Sequence, residues 1–242
     1  MTINVSIEAR MTSSRLPGKV LKKINNIPNL EIMVHRVQQV KSVNSIIVAT
    51  THNKQDDEIV KWCIKNNIQY FRGSENNVYN RVLETHKKFK SDIIIELTGD
   101  CPLIDPSLIE DAIEIYNSNK YDYVSNCLEI GYPLGMAVQI YSLEVLQSIS
   151  LNRKLEYEDK EHVTPYLYTS GKYNIFNIKA QSNHYMPELS VTLDTIEDFN
   201  VIENVVKFFN NINFTLEDII QFAKKNPHLT NMNFNTHRKG LS

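Results

Sequence analysis

Cysteine and net charge are both scarce in this chain of 242 residues. The three cysteines, Cys63, Cys101 and Cys127, are odd in number and lack metal-ligand spacing, which argues against a disulfide framework and a zinc site. A formal net charge of -2 creates no overall field that would recruit nucleic acid or an anionic membrane. No apolar run is long enough for a signal-peptide core or a membrane span. We therefore expect a cytoplasmic protein with reduced thiols, in which any anion site is local.

Apolar residues make up 42% of the chain, enough for one substantial buried core. Neither an internal repeat nor a low-complexity linker divides the sequence. We expect one domain over residues 1–225, with a small antiparallel lobe within about 126–190, and a loosely ordered tail over 226–242.

Short apolar runs alternate with segments of helical periodicity through the first half of the chain. This order is typical of a parallel sheet with helices on both faces. We therefore predict an α/β fold with a mixed, mostly parallel sheet, to which two late strands add an antiparallel part. The predicted strands are 3–7, 45–51, 69–72, 92–98, 123–125, 136–142, 173–178 and 189–193. The predicted helices are 29–40, 55–67, one that opens within 73–81, 106–119, 195–210 and 215–225.

A cationic loop, residues 8–21, follows the first predicted strand. Arg10, Arg15 and Lys19 fall within ten residues there, interleaved with the hydroxyl side chains of Thr12, Ser13 and Ser14. Such a loop at the carboxyl end of a first strand can bind a polyphosphate, because hydroxyl and backbone N–H groups donate to phosphate oxygens while cations neutralise the charge. From the charge alone, a solvated basic turn explains the loop equally well.

Two aspartates each follow a predicted strand, at the edge where parallel sheets bind ligands. Asp100 follows the most convincing central strand and is a site candidate, whereas Asp105, directly before a proline, is more simply a helix cap. Asp194 is either a helix cap or a ligand. With a triphosphate in the cationic loop, Asp100 and Asp194 could converge on Mg2+, which needs only one or two carboxylates besides phosphate and water. The lone His162 has three interpretations: a general base, an acceptor contact or a core histidine.

Five motifs occur in order along the chain: ARMTSSRLPGK, FRGSENNVYNR, LTGDCPLIDP, EHVTPY and VTLDTIEDF. Together they resemble the cytidylyltransferase family, which includes the acylneuraminate and 3-deoxy-manno-octulosonate cytidylyltransferases, and most of all its branch of spore-coat polysaccharide biosynthesis proteins. The resemblance covers residues from about 3 to 205. It implies a Rossmann-like, GT-A-like nucleotidyltransferase fold, often dimeric, that uses CTP and Mg2+ to make a CMP-activated sugar and pyrophosphate.

The resemblance also implies roles for single residues. The metal ligands would be Asp100 and Asp194, and the catalytic residues would be Arg10, Lys19 and Asp100. The nucleotide site would comprise Ala9, Arg10, Ser13, Ser14, Arg15, Lys19, Arg72, Ser74, Arg81 and Asp100. The acceptor site would comprise His162, Gly135 and Gln139.

The chain departs from the family pattern in three places. Thr12 replaces a glycine of the loop, which implies a tighter or reshaped approach to phosphate. Glu8 stands where a glutamine is common. Ala137 and Gln139 replace acidic residues, and a neutral wall there would suit an anionic acceptor, such as a carboxylated sugar or a phosphorylated compound.

The leading hypothesis is Mg2+-dependent transfer of CMP from CTP to a sugar acid, of the nonulosonate or octulosonate type, for surface glycan synthesis. The enzyme would be a homodimer that needs no nucleic acid and no membrane insertion. Two alternatives keep the scaffold: a phosphate or phosphonate acceptor that gives a CDP-linked product, and a non-catalytic nucleotide-binding protein. A glycosyltransferase is disfavoured because the chain lacks an Asp-x-Asp metal motif.

Overall fold

The computed structural model describes residues 1–118, 120–152 and 154–236. Its strands are β1 (Ile3–Glu8), β2 (Lys23–Ile24), β3 (Ile27–Pro28), β4 (Ser45–Thr51), β5 (Gln69–Gly73), β6 (Ile93–Thr98), β7 (Tyr123–Ser125), β8 (Gln139–Ser142) and β9 (Ile175–Asn177). Seven strands form one sheet in the order β5-β4-β1-β6-β8-β7-β9, and β2 pairs with β3. Within the large sheet, β8 is antiparallel to both neighbours and the other pairs are parallel. The predicted mixed, mostly parallel α/β fold is confirmed.

The helices are α1 (Asn29–Val37), α2 (Asp57–Lys65), α3 (Val78–Lys88), α4 (Pro106–Tyr116), α5 (Leu143–Asn152), α6 (Tyr157–His162), α7 (Pro165–Thr169), α8 (Ile196–Phe209), α9 (Leu216–Lys225) and α10 (Pro227–Thr230). Asp105 caps α4 as predicted, because its side chain accepts a hydrogen bond from the N–H of Ser107 at 2.8 Å. None of the helices in the described ranges has the length and apolar character needed to cross a bilayer.

The two faces of the sheet differ in polarity along β1 and β6. Because side chains alternate along a strand, Val5 and Ile7 of β1 join the larger apolar core, whereas Ser6 and Glu8 face the other side. A smaller core lies on that second face, with residues from α3, α5, α7 and the sheet. Glu96 of β6 is on the same face and is buried. Near the carboxyl ends of β1 and β6, polar side chains therefore lie on one face of the sheet.

Segment 189–193 is not a strand of the sheet, so this prediction was wrong. Its backbone pairs with a loop instead: the N–H of Leu134 donates to the carbonyl of Leu189 at 3.0 Å, and the N–H of Val191 donates to the carbonyl of Leu134 at 2.8 Å. A single bridge, between Leu134 and Ser190, marks this pairing. The alternating apolar side chains of the segment are buried although its partner is a loop and not a strand of the sheet.

Strand β9 lies within the predicted strand 173–178, but it runs parallel to β7 rather than antiparallel, because three helices carry the chain back before β9 begins. The chain after residue 225 is also more ordered than predicted. It continues as α10, and the buried Asn233 side chain donates to the carbonyl of Ser190 at 3.1 Å. Residues 237–242 of the predicted tail lie outside the described residues. The division into a domain and a lobe stays a prediction.

Candidate active site

The loop after β1 is folded so that Lys19 is buried. Gly18 has a left-handed backbone, with a φ of 71°, and its N–H donates to the carbonyl of Met11 at 2.9 Å, which closes the loop. The side chain of the buried Asn29 donates to the carbonyl of Lys19 at 3.1 Å and anchors the turn. Lys19 is only 9% exposed, so its ammonium group needs partners inside the protein.

Asp100 and Asp194 are those partners, although they are far apart in the sequence. Nζ of Lys19 lies 3.2 Å from Oδ2 of Asp100 and 2.9 Å from Oδ1 of Asp194. Burial lowers the pKa of Lys19, but the two carboxylates outweigh burial and the pKa is raised. Burial raises the pKa of Asp100, and Lys19 reverses this effect, so that the pKa is lowered. Lys19 and Asp100 therefore form an ion pair at neutral pH.

Hydrogen bonds hold the two aspartates together. The N–H of Leu193 donates to the carbonyl of Asp100 at 2.7 Å, and the hydroxyl of Thr192 donates to the same carbonyl at 3.2 Å. Gly135 makes room for this contact, since its φ is +98° and a Cβ there would lie 2.7 Å from the backbone nitrogen of Thr192. Gly135, a predicted acceptor residue, thus packs against the segment that leads to Asp194.

The cap of α8 decides between the two interpretations of Asp194. The side chain of Thr195 accepts from the N–H of Asp198 and the Asp198 carboxylate accepts from the N–H of Thr195, so Thr195 is the cap. The Asp194 carboxylate is directed at the cationic loop, where Nη2 of Arg15 lies 3.0 Å from its Oδ2, in addition to Lys19.

The aspartate pair offers part of a metal site. Within the described ranges, no group of three or more His, Cys, Asp or Glu side chains is arranged to hold a metal ion. Asp100 and Asp194 nevertheless bring carboxylate oxygens to a common point beside Lys19. Mg2+ prefers oxygen ligands and is commonly completed by substrate phosphates and water. The pair therefore suits a divalent cation that binds together with a triphosphate.

Glu75 ties the cationic loop to its neighbours. Its Oε1 accepts a hydrogen bond from the Thr12 hydroxyl at 2.7 Å and lies 3.7 Å from Nη1 of Arg10, while its Oε2 accepts from the Asn53 side chain at 2.7 Å. The hydrogen bonds from Thr12 and Asn53 lower the pKa of Glu75. Thr12 therefore shapes the loop through a contact that a glycine could not make. The Arg10 side chain remains 46% exposed and accessible to an anion.

A cavity of about 610 Å³, which we call the Arg81 cavity, opens beside these groups. Arg81 of α3 is 3% exposed and lines it; Nη1 donates to the carbonyl of Ser74, whereas the buried Nε has no hydrogen-bond partner among the described residues. A ligand oxygen would satisfy this N–H. Of the predicted site residues, the cavity wall also includes Ala9, Arg10, Asp100 and His162.

Six predicted nucleotide-site residues do not line the Arg81 cavity, and two of them, Arg15 and Lys19, pair with the aspartates beside it. Arg72 is occupied by the segment 51–57: its Nε, Nη1 and Nη2 donate to three oxygens there. Ser74 contributes its backbone carbonyl to Arg81. Ser13 accepts a hydrogen bond from the N–H of Leu16 at 3.5 Å, and Ser14 is exposed on the cationic loop.

A second cavity, of about 810 Å³, meets the first at Glu8, Thr98 and His162; we call it the Glu96 cavity. Glu96 is 3% exposed and accepts a hydrogen bond from the hydroxyl of Tyr141. Burial raises the pKa of Glu96 to about 8. Burial, reinforced by the charge of Glu96, also holds the pKa of Glu8 well above its usual range.

Gln139, a predicted acceptor residue, also lines the Glu96 cavity. Its amide oxygen is already engaged, since it accepts from the hydroxyls of Tyr123 at 2.7 Å and Thr164 at 2.6 Å. Ala137 lies elsewhere, in a groove formed by residues 126–137 and Pro187. The wall of the cavity is therefore set by the glutamates and not by Ala137.

His162 ends α6 and lines both cavities. It is exposed, which excludes the core interpretation. The chain leaves it through a γ-turn, in which Val163 has φ 65° and ψ -56° and the N–H of Thr164 donates to the carbonyl of His162 at 2.7 Å. A left-handed φ is costly for a β-branched residue, and the complete burial of Val163 maintains it. This turn directs His162 to the junction of the cavities.

Three glutamates of the site were not predicted from the sequence: Glu75 and Glu96 were missed, and Glu8 was noted only as a departure. A signal existed for Glu96, because a charged residue inside a buried central strand is rare unless it is functional or paired. Glu75 offered no signal beyond its place near a helix start.

A model of the cytidylyltransferase family matches residues 5–234 of the chain. The chain belongs to this family. The spore coat polysaccharide biosynthesis protein SpsF of Bacillus subtilis (strain 168) is 33% identical over 91% of this chain and 93% of its own length. The 8-amino-3,8-dideoxy-manno-octulosonate cytidylyltransferase of Shewanella amazonensis is 26% identical over 85% of each protein. The predicted family and the nucleotidyltransferase class are confirmed.

Solved structures agree on the fold of this cytidylyltransferase. A cytidylyltransferase from Leptospira borgpetersenii superposes with a TM-score of 0.90 at 30% identity and covers 98% of this chain and 99% of that one. A CMP:2-keto-3-deoxy-manno-octonic acid synthetase, solved with CTP, has a TM-score of 0.66 at 19% identity and covers 86% of this chain and all of that one. The predicted Rossmann-like nucleotidyltransferase fold is confirmed.

Proposed function

We propose that the protein is a Mg2+-dependent enzyme that transfers CMP from CTP to a sugar acid and releases pyrophosphate. The observation that carries the proposal is the convergence of Lys19, Asp100 and Asp194 beside the Arg81 cavity. Family membership and the names of two relatives, SpsF and the amino-octulosonate enzyme, support a role in surface glycan synthesis. The homodimer and the cytoplasmic location stay predictions.

The triphosphate would bind over the cationic loop. Arg10, Arg15 and Lys19 provide positive charge within one turn of chain, and Arg81 offers the buried Nε–H to a nucleotide oxygen. Asp100 and Asp194 would hold Mg2+, which, when bound, neutralises charge on the phosphates.

The acceptor would occupy the Glu96 cavity and meet the nucleotide at the junction, beside His162. Its hydroxyl oxygen forms a bond to the α-phosphorus, the bond from that phosphorus to the bridging oxygen breaks, and pyrophosphate leaves with the electron pair. The hydroxyl proton passes to water. The rate enhancement comes from two effects: the adjoining cavities position the two substrates, and the cationic loop stabilises the developing charge.

The test is pyrophosphate release from CTP with Mg2+ and a panel of sugar acids. We expect turnover that falls about 100-fold or more in Asp100→Ala, because both metal binding and the Lys19 pair are lost. Asp111→Asn, at an exposed position of α4, serves as the matched control and should keep its activity. Mass spectrometry should find one phosphorus between cytidine and the acceptor. A folded protein that turns over no combination of nucleotide and sugar acid would contradict the proposal.

A further inference from the structure

The two cavities differ in the charged groups that line them. The Arg81 cavity is lined by two arginines, Arg10 and Arg81, as well as by four acidic residues, Glu8, Glu75, Asp100 and Glu161. None of the described residues that line the Glu96 cavity is a lysine or arginine, and three are glutamates: Glu8, Glu96 and Glu129. An acceptor in the Glu96 cavity therefore meets carboxyl groups and no permanent cation.

Among the described residues, two of these three carboxyl groups have no cationic partner at hydrogen-bond distance. Glu129 is at the rim, 56% exposed, with its Oε2 3.2 Å from Nζ of Lys179. Glu96 is almost fully buried, and its hydrogen-bond partner in the described part of the chain is the neutral hydroxyl of Tyr141. Oε1 of Glu8 is buried and has no hydrogen-bond partner there.

One cation, Arg81, does act on Glu8 electrostatically. The charge of Arg81 lowers the pKa of Glu8, but burial and Glu96 raise it by more. Buried acceptor oxygens without donors are costly, and ionisation of both neighbouring carboxyl groups is opposed by burial and by their mutual repulsion. A ligand that donates hydrogen bonds and carries positive charge would relieve both effects, whereas a phosphate would add to the repulsion.

Part of the remaining polar lining is already engaged, since the side-chain oxygen of Asn177 accepts a hydrogen bond from the N–H of Leu128. The oxygen of Gln139 is engaged by Tyr123 and Thr164, and Leu128 and Ile175 are apolar. We expected a neutral wall at Ala137 and Gln139, but Glu8 and Glu96 line this cavity, so an anionic group of the acceptor would not lie against this part of it.

We propose that the acceptor carries an amino group, which lies in the Glu96 cavity against Glu8 and Glu96. The inference rests on the proposed function and adds the substrate class: an amino-substituted sugar acid. The ammonium group would stabilise the ionised form of both carboxyl groups and donate hydrogen bonds to them, in an environment where charge-assisted hydrogen bonds are strong.

The experiment compares acceptors that differ in one group. The first pair is 3-deoxy-manno-octulosonate and 8-amino-3,8-dideoxy-manno-octulosonate; a second set consists of nonulosonates with a free amine, an N-acetyl group or a hydroxyl at one carbon. With CTP and Mg2+, we expect a free-amine acceptor to have a kcat/KM roughly ten-fold or more above its neutral counterparts in at least one set. Equal or better use of the neutral acceptors in both sets would overturn the inference. No pyrophosphate from any acceptor would instead contradict the proposed function.

Variants separate recognition of the amine from a structural role. Glu96→Gln and Glu8→Gln keep size and hydrogen-bonding capacity but remove charge, so the ratio of amine to neutral kcat/KM should fall roughly ten-fold in each. A merely structural role would lower both values and leave the ratio unchanged, which would also overturn the inference. Glu203→Gln, on the outer part of α8, is the matched control and should keep the wild-type ratio.

Discussion

The Arg81 and Glu96 cavities share Glu8, Thr98 and His162 but treat charge in opposite ways. Next to the Arg81 cavity, charged side chains are paired with one another: Lys19 with Asp100 and Asp194, and Arg10 with Glu75. In the Glu96 cavity, the buried Glu96 and the half-buried Glu8 have no such ion pair at contact distance in the described residues.

The difference teaches how two ligands can be separated on one sheet edge. Paired charges at the cationic loop are ready to exchange partners when a metal and a polyanion arrive together. Unpaired carboxyl groups instead leave their compensation to the ligand. Strand ends determine where a ligand binds, and the local pairing of charges determines which ligand it is.

The largest effect on activity should come from Lys19→Gln, which removes the ion pairs of Lys19 beside the Arg81 cavity. Without the ammonium group, Asp100 loses its cationic partner, Asp194 keeps Arg15, and the triphosphate loses a buried cation. We expect kcat/KM to fall about 100- to 1000-fold, measured by pyrophosphate release. The apparent melting temperature should also fall and be partly restored by Mg2+, since the cation binds the native carboxylates.

Lys23→Gln is the matched control for that variant, because Lys23 is an exposed lysine close by in the chain. A Lys19→Gln enzyme with activity within a few-fold of wild type would show that the ion pair has no part in catalysis.

Arg81→Gln should have the next largest effect, and it tests whether the cavities are separate. We expect the KM for CTP to rise about ten-fold, because a buried donor directed at the nucleotide is lost, while the KM for the acceptor stays the same. Steady-state kinetics with each substrate varied in turn gives both values. Arg81→Lys, which keeps the charge but not the Nε–H, should be intermediate. Equal rises in both KM values would contradict the division into two sites.

How much of this site could be predicted from the sequence depended on where each residue lies relative to a strand. Asp100 and Asp194 were predictable because each follows an apolar run, and Lys19 because its loop follows the first strand; the structure brings all three together. The resemblance of the sequence motifs to the family suggested that these three residues bind substrate.

Other features depend on tertiary contacts that no local pattern encodes. Segment 189–193 alternates like a strand, but its partner is the loop at Leu134. The left-handed Val163 is held by packing, since nothing in its residue type favours that conformation. The family resemblance placed Arg72 in the nucleotide site, but its guanidinium group donates hydrogen bonds to the segment 51–57.

Glu96→Gln should change stability by a moderate amount, with a sign that depends on pH. The pKa of Glu96 is about 8 in the folded protein, above its ordinary value of 4.5, so unfolding releases a proton between these limits. The Glu96 contribution is therefore fully present below about pH 4.5 and is lost as the pH rises through about 8.

We expect the difference in the free energy of unfolding, Glu96→Gln minus wild type, to be about 1–3 kcal/mol higher at pH 8 than at pH 5, by urea denaturation. Glu203→Gln should show the same difference from wild type at both pH values. A Glu96→Gln difference that does not change with pH would show that Glu96 is already ionised in the folded protein.

Thr12→Gly should have the smallest effect, and it sharpens the comparison at the loop itself. Glycine removes the hydroxyl that donates to Glu75 at 2.7 Å and adds backbone freedom, but Asn53 and Arg10 still contact Glu75. Water partly replaces the lost hydrogen bond at this half-exposed site, so we expect the KM for CTP to rise about three-fold. Thr12→Val should match Thr12→Gly and Thr12→Ser should match wild type, because the serine hydroxyl can still reach Glu75. If Thr12→Gly instead binds CTP more tightly than wild type, the hydroxyl contact restrains the loop in a conformation that opposes the nucleotide.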